Sequence, residues 1–262
     1  MKIKLHSQYH HFPNFETDQD DFDIELWNDG KIWEYIQNYP NVNHGSALLI
    51  EPRSLQAATY SLIESNYEKF ENVFTHDSQL LSLLPNAQLI LYWNEYLLVD
   101  KSNKINKFKD ISFICGKKKM CPLHIERMKL AQRLKYDIDV LGDWNGGSQV
   151  SIYDAYAPYK FAVVIENYMD DDWFTEKVLN AFASKTIPIY FGARNISEYF
   201  NPFGIIQVNN IWDIPETIER LKNIGIDFSY KVRKAAIEDN YERVQQYQNF
   251  EDWFIQHYGV EE

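Results

Sequence analysis

The sequence predicts an α/β protein built on parallel sheets. Short apolar runs of strand length alternate along the chain with longer amphipathic stretches of helical length. This strand–helix–strand alternation favours parallel sheets, because each helix carries the chain back to begin the next strand at the same end. With 262 residues, 45% of them hydrophobic, the chain is long enough for one large domain or for two of roughly 100–150 residues.

The elements follow from these two patterns. The apolar runs predict strands at Ser46–Ile50, Asn72–Phe74, Gln88–Trp93, Ile111–Cys115, Ile138–Leu141, Phe161–Ile165, Ile187–Phe191 and Ile205–Val208. The amphipathic stretches predict helices at Ser54–Phe70, Ser78–Leu84, Pro122–Tyr136, Thr175–Lys185 and Pro215–Ile224. The last stretch, Tyr230–Tyr258, lacks proline and glycine and carries a partial apolar face, which predicts one or two closing helices.

A polar, Lys/Asn-rich stretch, Asp100–Lys109, is the least structured part of this pattern. We place a domain boundary there, because domain boundaries fall in polar linkers that few contacts cross. The sequence therefore predicts an amino-terminal α/β domain in residues 1–105, a second α/β domain in residues 106–230, and closing helices in residues 231–262.

Charge and composition exclude several classes of protein. The chain has 26 basic and 38 acidic residues and a net charge of −12, which disfavours binding to the phosphate backbone of nucleic acid. The opening residues lack the apolar stretch of a signal peptide, and no run of about 18 apolar residues occurs. Cys115 and Cys121 are too widely spaced for a CxxC pair and indicate neither a disulfide framework nor a zinc site. We expect a soluble, cytoplasmic protein without a transmembrane segment.

The chemistry of the chain is concentrated between two predicted elements. The buried strand that begins at Tyr159 ends in the polar pair Glu166-Asn167, and a helix follows with Thr175 at or near its N-cap. Ligands of open α/β sheets bind outside the carboxyl ends of the strands, and a helix N-terminus attracts phosphate. Lys177 in the first helical turn adds a full positive charge. These features predict a phosphate-binding site.

The same region carries a family resemblance. From Tyr159 to about Val208, the blocks YKFAVVIEN, WFTEK, IPIYFG and YFNP follow at fixed spacing. They resemble the signature region of the α-1,3/1,4-fucosyltransferases. The resemblance implies the GT-B architecture, two Rossmann-like domains facing a cleft, here with a compact amino-terminal domain. It also implies inverting transfer of fucose from GDP-fucose to a hydroxyl of an acceptor glycan, with no metal and no other cofactor.

The resemblance assigns roles to residues of the second domain, which becomes the donor-binding domain. Asn167, Glu176 and Lys177 match the donor-binding Asn and the Glu-Lys pair of the family, and Trp173 stands where a Tyr lines the donor site. Arg127 falls at the place of an Arg that contacts the donor diphosphate.

In the amino-terminal domain, which becomes the acceptor-binding domain, Ile50-Glu51-Pro52 resembles the place of the catalytic carboxylate. Glu51 is the predicted general base, which takes the proton from the acceptor hydroxyl. The alternative is that Glu51 caps the helix that begins near Pro52 and Ser54. The resemblance names no residue that binds the acceptor.

Two loops depart from the family pattern. Where the family has small hydroxyl and amide residues, this chain has Lys117, Lys118 and Lys119, which form either a solvated turn or a donor-phosphate contact through Lys118. The loop 170–172 adds three carboxylates near a site meant for phosphate. A UDP-sugar donor such as UDP-xylose therefore remains an alternative. The second alternative is a non-catalytic nucleotide- or glycan-binding module that keeps the fold but lacks turnover.

Two further motifs have competing interpretations. Asp170-x-Asp172 has the spacing of a metal-binding DxD motif, but this spacing is common on solvated loops and no motif places a further ligand. The pair His10-His11 is interpreted as an exposed loop pair, with contact to an acceptor as the alternative.

Overall fold

The computed structural model describes most of the chain. The described residues are 2–7, 22–39, 44–94, 97 and 105–259. The pair His10-His11 and residues 100–104 of the predicted connection lie outside them. The chain groups into two compact units. The first unit comprises Met1–Glu95, Asp170–Trp173 and Asn249–Glu262, and the second comprises Tyr96–Met169 and Phe174–Gln248.

The first unit is built on a five-stranded sheet in which the spatial order of the strands equals their order in the chain. Its strands are β1 (Ile3–His6), β2 (Ile24–Asn28), β3 (Ser46–Leu49), β4 (Val73–Thr75) and β5 (Ala87–Leu89). Its first helices are α1 (Lys31–Asn38), α2 (Arg53–Asn66) and α3 (Ser78–Leu83), with a 3-10 turn at Tyr67–Lys69. Every pairing is parallel, so all five strands present their carboxyl ends at one edge.

The second unit contains another five-stranded parallel sheet, in the order β10-β9-β8-β6-β7. The strands are β6 (Lys109–Ile114), β7 (Asp139–Leu141), β8 (Tyr159–Ile165), β9 (Ile187–Phe191) and β10 (Ile206–Gln207). The helices are α4 (Pro122–Leu134), α5 (Ile152–Tyr156), α6 (Glu176–Ala183), α7 (Ile196–Tyr199), α8 (Ile214–Ile224), α9 (Ile226–Lys231) and α10 (Lys234–Arg243). The 3-10 turns are Pro202–Gly204, Ile211–Asp213 and Val244–Tyr247.

The last helix, α11 (Phe250–Tyr258), belongs to the first unit. Its Phe250 ring lies 4.0 Å from the ring of Trp93, and its Phe254 ring lies 4.9 Å from that of Phe74, measured between centroids. The hydroxyl of Tyr258 donates to the backbone oxygen of Leu89. Aromatic packing of this kind buries large apolar areas and holds the helix on the unit.

The predicted α/β class with parallel sheets is confirmed, and most of the predicted elements exist within a few residues of their predicted bounds. The first two strands were not predicted. In β1, Lys4 and His6 interrupt the apolar pattern, and β2 carries Glu25, whose charge is typical of the surface. Glu25 is nevertheless buried, because the ring of His6 and the ammonium of Lys4 lie 2.8 Å and 3.6 Å from its Oε1.

Strand β5 is shorter than predicted and ends at Leu89, although apolar residues continue to Trp93. Trp93 is buried without being part of a strand, because it packs on α11. The apolar run is therefore longer than the strand, because its last residue is buried by a helix that is distant in sequence. Among the described residues, none of the helices has both the length and the apolar character that a membrane span requires.

The central strand of the second sheet supplies a stability test. Phe161 on β8 is fully buried between β6 and β9, and its removal leaves a cavity. We expect Phe161→Ala to lower the free energy of unfolding by about 3–5 kcal/mol in urea titrations. The matched control is Phe108→Ala, at a ring that is 67% exposed, for which we expect a change within about 0.5 kcal/mol. Equal losses in the two variants would contradict the assignment of β8 to the core.

Candidate functional site

The loop between β8 and α6 is organised by Glu166, the fully buried residue that follows β8. Its carboxylate accepts a hydrogen bond from the backbone N–H of Thr175 at 2.9 Å and another from the Thr175 hydroxyl at 2.7 Å. Thr175 is the N-cap of α6, as the sequence predicted, and its Oγ1 accepts from the N–H of Lys177. The end of β8 and the start of α6 are therefore joined through one carboxylate. This carboxylate provides hydrogen-bond partners for buried polar groups that would otherwise destabilise the fold.

Lys177 projects from the first turn of α6 into this arrangement. Its Nζ lies 3.2 Å from Glu166 Oε2, 3.1 Å from Glu176 Oε1 and 2.9 Å from Thr175 Oγ1. Burial disfavours the ammonium, but the carboxylates of Glu166 and then Glu176 outweigh this effect and raise the pKa of Lys177. Lys177 therefore carries its positive charge throughout the neutral pH range.

A second cation lies on α4. The Nη1 of Arg127 donates to Asn167 Oδ1 at 3.4 Å, and its Nη2 donates to the backbone oxygen of Ile114 at 3.2 Å. The Arg127 Nε is buried and has no hydrogen-bond partner among the described residues. Arg127 contacts Asn167 and Lys177 contacts the preceding residue, Glu166, so the two cations are held at the same strand end. A buried N–H without a partner is costly unless a ligand or water accepts from it.

His124 completes this cluster. Its Nδ1 accepts from the backbone N–H of Met120 at 3.0 Å, so the proton of the neutral ring is on Nε2, which donates to Asn167 Oδ1 at 3.1 Å. Burial and then the charge of Arg127 lower the pKa of His124. The ring is therefore neutral at pH 7, and Asn167 receives two hydrogen bonds on one oxygen.

The three lysines after β6 differ in their surroundings. Lys117 is tied to Asp143, through its backbone N–H to Oδ1 at 3.1 Å and through Nζ to Oδ2 at 3.2 Å. Lys118 and Lys119 are exposed. The pKa of His124 is lowered by burial first, then by the charge of Arg127, with Lys118 among the smaller contributions. The other predicted donor residue, Trp173, belongs to the first unit.

In the first unit, polar side chains collect where the parallel strands end. Asp29 follows β2, Glu51 follows β3, and His76 follows β4. Asp29 is fully buried, and burial first, then the charge of Glu51, raise the pKa of Asp29 to about 8. Asp29 is therefore largely protonated at neutral pH, and Glu51 is the less buried carboxylate of the two. Helix α2 has Pro52 as its N-cap residue, one position after Glu51.

Trp173 is buried against this edge. Its ring centroid lies 4.2 Å from that of His76, at an interplanar angle of 35°, and 6.2 Å from that of Tyr92. The Trp173 Nε1 and the His76 Nδ1 are both buried without a hydrogen-bond partner among the described residues. Trp173 is thus packed between two side chains of its own unit and is 3% exposed.

The acidic loop before Trp173 is also engaged within the first unit. Both oxygens of Asp170 lie within 3.1 Å of the Ser78 hydroxyl, and Oδ2 also accepts from the Ser78 N–H at the start of α3. Asp170 is therefore a buried hydrogen-bond acceptor, and its charge faces N–H and O–H donors. Within the described residues, no three His, Cys, Asp or Glu side chains are arranged to hold a metal ion.

Several of these residues were not identified from the sequence. His124 lies three positions before Arg127, which is the spacing of one helical face, and this was the available signal. Glu166 stands inside one of the matched blocks, next to Asn167. No local pattern marks Asp29 or His76, since their partners are distant in sequence.

The burial of His76 produces a testable pH dependence. Burial, opposed by the charges of Asp77 and Asp170, lowers the pKa of His76 to about 4. An unfolded histidine titrates near pH 6.5, so acid protonates the unfolded chain first, and stability is lost as the pH falls from about 6.5 to about 4. This difference corresponds to about 3 kcal/mol. We expect His76→Gln to remove this part of the acid destabilisation in urea titrations across that range; an unchanged slope would contradict a neutral, buried His76.

Comparison with known proteins places the chain in a family. Residues 106–254 match the model of glycosyltransferase family 10 (fucosyltransferase), C-terminal part, a span of more than half the chain. An alpha-(1,4)-fucosyltransferase of Arabidopsis thaliana is 33% identical over 76 residues, which are 29% of this chain and 19% of that protein. The alpha-(1,3)-fucosyltransferase FucT of Helicobacter pylori is 36% identical over 64 residues, 24% of this chain and 13% of that protein. The matched segments thus span less than a fifth of these curated relatives.

A crystal structure of an alpha1,3-fucosyltransferase with GDP is similar in fold, with a TM-score of 0.51 and 15% identity over 91% of this chain and 78% of that chain. The structure with GDP-fucose gives a TM-score of 0.50 at 16% identity, over 88% of this chain and 85% of that chain. These likenesses confirm the predicted GT-B fold. Together with the family match, they confirm the resemblance seen in the sequence: the chain belongs to glycosyltransferase family 10, the fucosyltransferases.

Proposed function

We propose that the protein transfers fucose from GDP-fucose to a hydroxyl group of an acceptor glycan, with inversion and without a metal ion. The observation that carries this proposal is a pair of cations at the end of β8: Arg127 is hydrogen-bonded to Asn167 beside His124, and Lys177 contacts the adjacent Glu166. It lies in the part of the chain that matches the family. The similar crystal structure that contains GDP supports the choice of nucleotide.

The cluster suits a diphosphate. A chain of net charge −12 has little general attraction for phosphate, so binding must come from local cations. Arg127 offers an Nε that has no hydrogen-bond partner within the described part of the chain, and the charge of Lys177 is maintained by its raised pKa. The Nζ of Lys177 already donates to Thr175 Oγ1 and Glu176 Oε1 and lies 3.2 Å from Glu166 Oε2. We therefore expect a phosphate oxygen to take the place of Glu176, the most exposed of the three.

The mechanism divides between two groups of residues. Glu51 removes the proton from the acceptor hydroxyl as that oxygen attacks the anomeric carbon of the donor. Arg127 and Lys177 stabilise the negative charge that develops on the departing GDP, a role that a metal ion performs in other glycosyltransferases. His124 is neutral and hydrogen-bonded to Asn167, so it orients the amide without adding charge.

Donor binding is tested by thermal shift, because a ligand that binds the native state raises its Tm. We expect GDP and GDP-fucose to raise the Tm in the presence of EDTA, and Lys177→Ala to abolish most of this rise. The control is Lys129→Ala on α4, at a lysine that is 60% exposed and pairs with Glu126. Stabilisation by UDP alone would contradict the GDP donor, and an undiminished GDP shift in Lys177→Ala would contradict the phosphate role of Lys177.

Catalysis is tested at Glu51. With GDP-fucose and a panel of oligosaccharide acceptors, we expect Glu51→Gln to lower kcat by about 10²–10⁴-fold, because a neutral amide cannot accept the proton. Its GDP-induced Tm shift should equal that of the parent. The control is Glu68→Gln, at an exposed carboxylate of the same unit. Transfer at the parent rate by Glu51→Gln would remove Glu51 from the mechanism, and absence of transfer by the parent itself would favour a binding module.

A further inference from the structure

The backbone N–H of Glu51 is held by the buried Asp29. The Oδ1 of Asp29 accepts from the backbone N–H groups of Ile50 at 3.2 Å and of Glu51 at 3.5 Å. Its Oδ2 accepts from the Nδ2 of Asn28 at 3.1 Å. Asp29 has a φ of 42°, in the left-handed region that few residues other than glycine adopt and that asparagine and aspartate tolerate best. A strained backbone conformation persists only where the surrounding structure enforces it, and such positions cluster in functional sites.

The backbone oxygen of Glu51 is held from another element. The hydroxyl of Tyr60 on α2 donates to this oxygen at 2.9 Å. Tyr60 is fully buried, and the guanidinium of Arg53 lies over its ring, 4.7 Å from the centroid. Arg53 is in turn fixed by two hydrogen bonds to the carboxylate of Asp77, of 3.1 Å and 2.9 Å. The hydroxyl therefore has little freedom to move away from Glu51.

The two contacts fix the backbone N–H and the backbone oxygen of Glu51. Glu51 precedes Pro52, which disfavours helical dihedral angles at Glu51. With the N–H and the carbonyl both bound to buried side chains, the direction of the Cα–Cβ bond is set, although the carboxylate itself stands at a half-buried position. A base has to lie within hydrogen-bond reach of the proton that it removes, and a displacement of about 1 Å costs about 10²-fold in rate.

We propose that Asp29 and Tyr60 are positioning residues, which clamp the main chain of Glu51 and so aim its carboxylate at the acceptor hydroxyl. This inference rests on the proposed role of Glu51 as the general base. A neutral Asp29, which its raised pKa of about 8 maintains, accepts the two N–H groups without placing a second negative charge beside Glu51.

The clamp is tested by removing its two sides separately; the Tyr60 hydroxyl also lies 3.4 Å from the Nε2 of His76, a contact that Tyr60→Phe removes as well. Tyr60→Phe deletes only the hydroxyl, and Asp29→Ala deletes both acceptors, whereas Asp29→Asn retains an oxygen for the two N–H groups and tolerates the positive φ. The matched control is Tyr35→Phe. Tyr35 is fully buried in the same unit, and its hydroxyl also bonds to main chain, at Lys69 and at Gly45 before the amino end of β3.

We expect Tyr60→Phe to lower kcat by about 10-fold and Asp29→Ala by about 10²-fold, with the acceptor KM and the GDP-induced Tm shift close to those of the parent. Asp29→Asn should recover most of the activity lost in Asp29→Ala, and Tyr35→Phe should keep the parent kcat at a similar loss of Tm.

The clamp is refuted if Tyr60→Phe loses no more kcat than Tyr35→Phe, or if Asp29→Asn is no more active than Asp29→Ala. Glu51→Gln separates the two proposals. If Glu51→Gln is inactive while the clamp variants turn over as the parent does, only the clamp fails. If Glu51→Gln is fully active, the proposed role of Glu51 fails, and the clamp fails with it.

Discussion

Both units obey one constraint, that polar groups at the carboxyl ends of buried parallel strands must find partners inside the protein. In the second unit Glu166 meets this requirement by bonding to Thr175 and Lys177, which joins β8 to α6. In the first unit Asp29 does the same for the main chain after β3. The hydrogen bonds that make these strand ends stable are the ones that orient the candidate functional side chains, so stability and function share the same groups.

The strand ends of the two sheets differ in charge. Asn167 is hydrogen-bonded to Arg127 and to His124, whose pKa is lowered by burial and then by the charge of Arg127, and Lys177 contacts the adjacent residue, Glu166. The edge at the end of β3 carries carboxylates instead: Asp29 is fully buried with a raised pKa, and Glu51 is the less buried of the two. A cationic edge suits a departing diphosphate, and an anionic one suits removal of a proton. In a chain of net charge −12, such a cationic cluster depends on specific hydrogen bonds and ion pairs that hold its Arg and Lys side chains in place.

Much of this arrangement was accessible from local pattern. The strand at Tyr159–Ile165, the N-cap at Thr175 and the helix after it were predicted, because apolar runs and capping residues act within a few positions of one another. The strands β1 and β2 were not, because Glu25 is buried by residues outside its own strand. Trp173 is the first residue of the family block WFTEK. Its ring nevertheless packs on His76, because the segment Asp170–Trp173 belongs to the first unit.

The amino-acid order alone therefore establishes the α/β class and the family. It also predicts candidate donor residues that stand within one helical turn of each other, such as Glu176 and Lys177. The folded structure determines the burial, the electrostatic surroundings and the hydrogen-bond partners of the site residues. Asp29 reaches Glu51 across 22 positions, and Asp170 reaches Ser78 across 92. Periodicity and capping describe neighbours along the chain, whereas burial, shifted pKa values and clamped main chain arise between strands and helices that meet only when the sheets assemble.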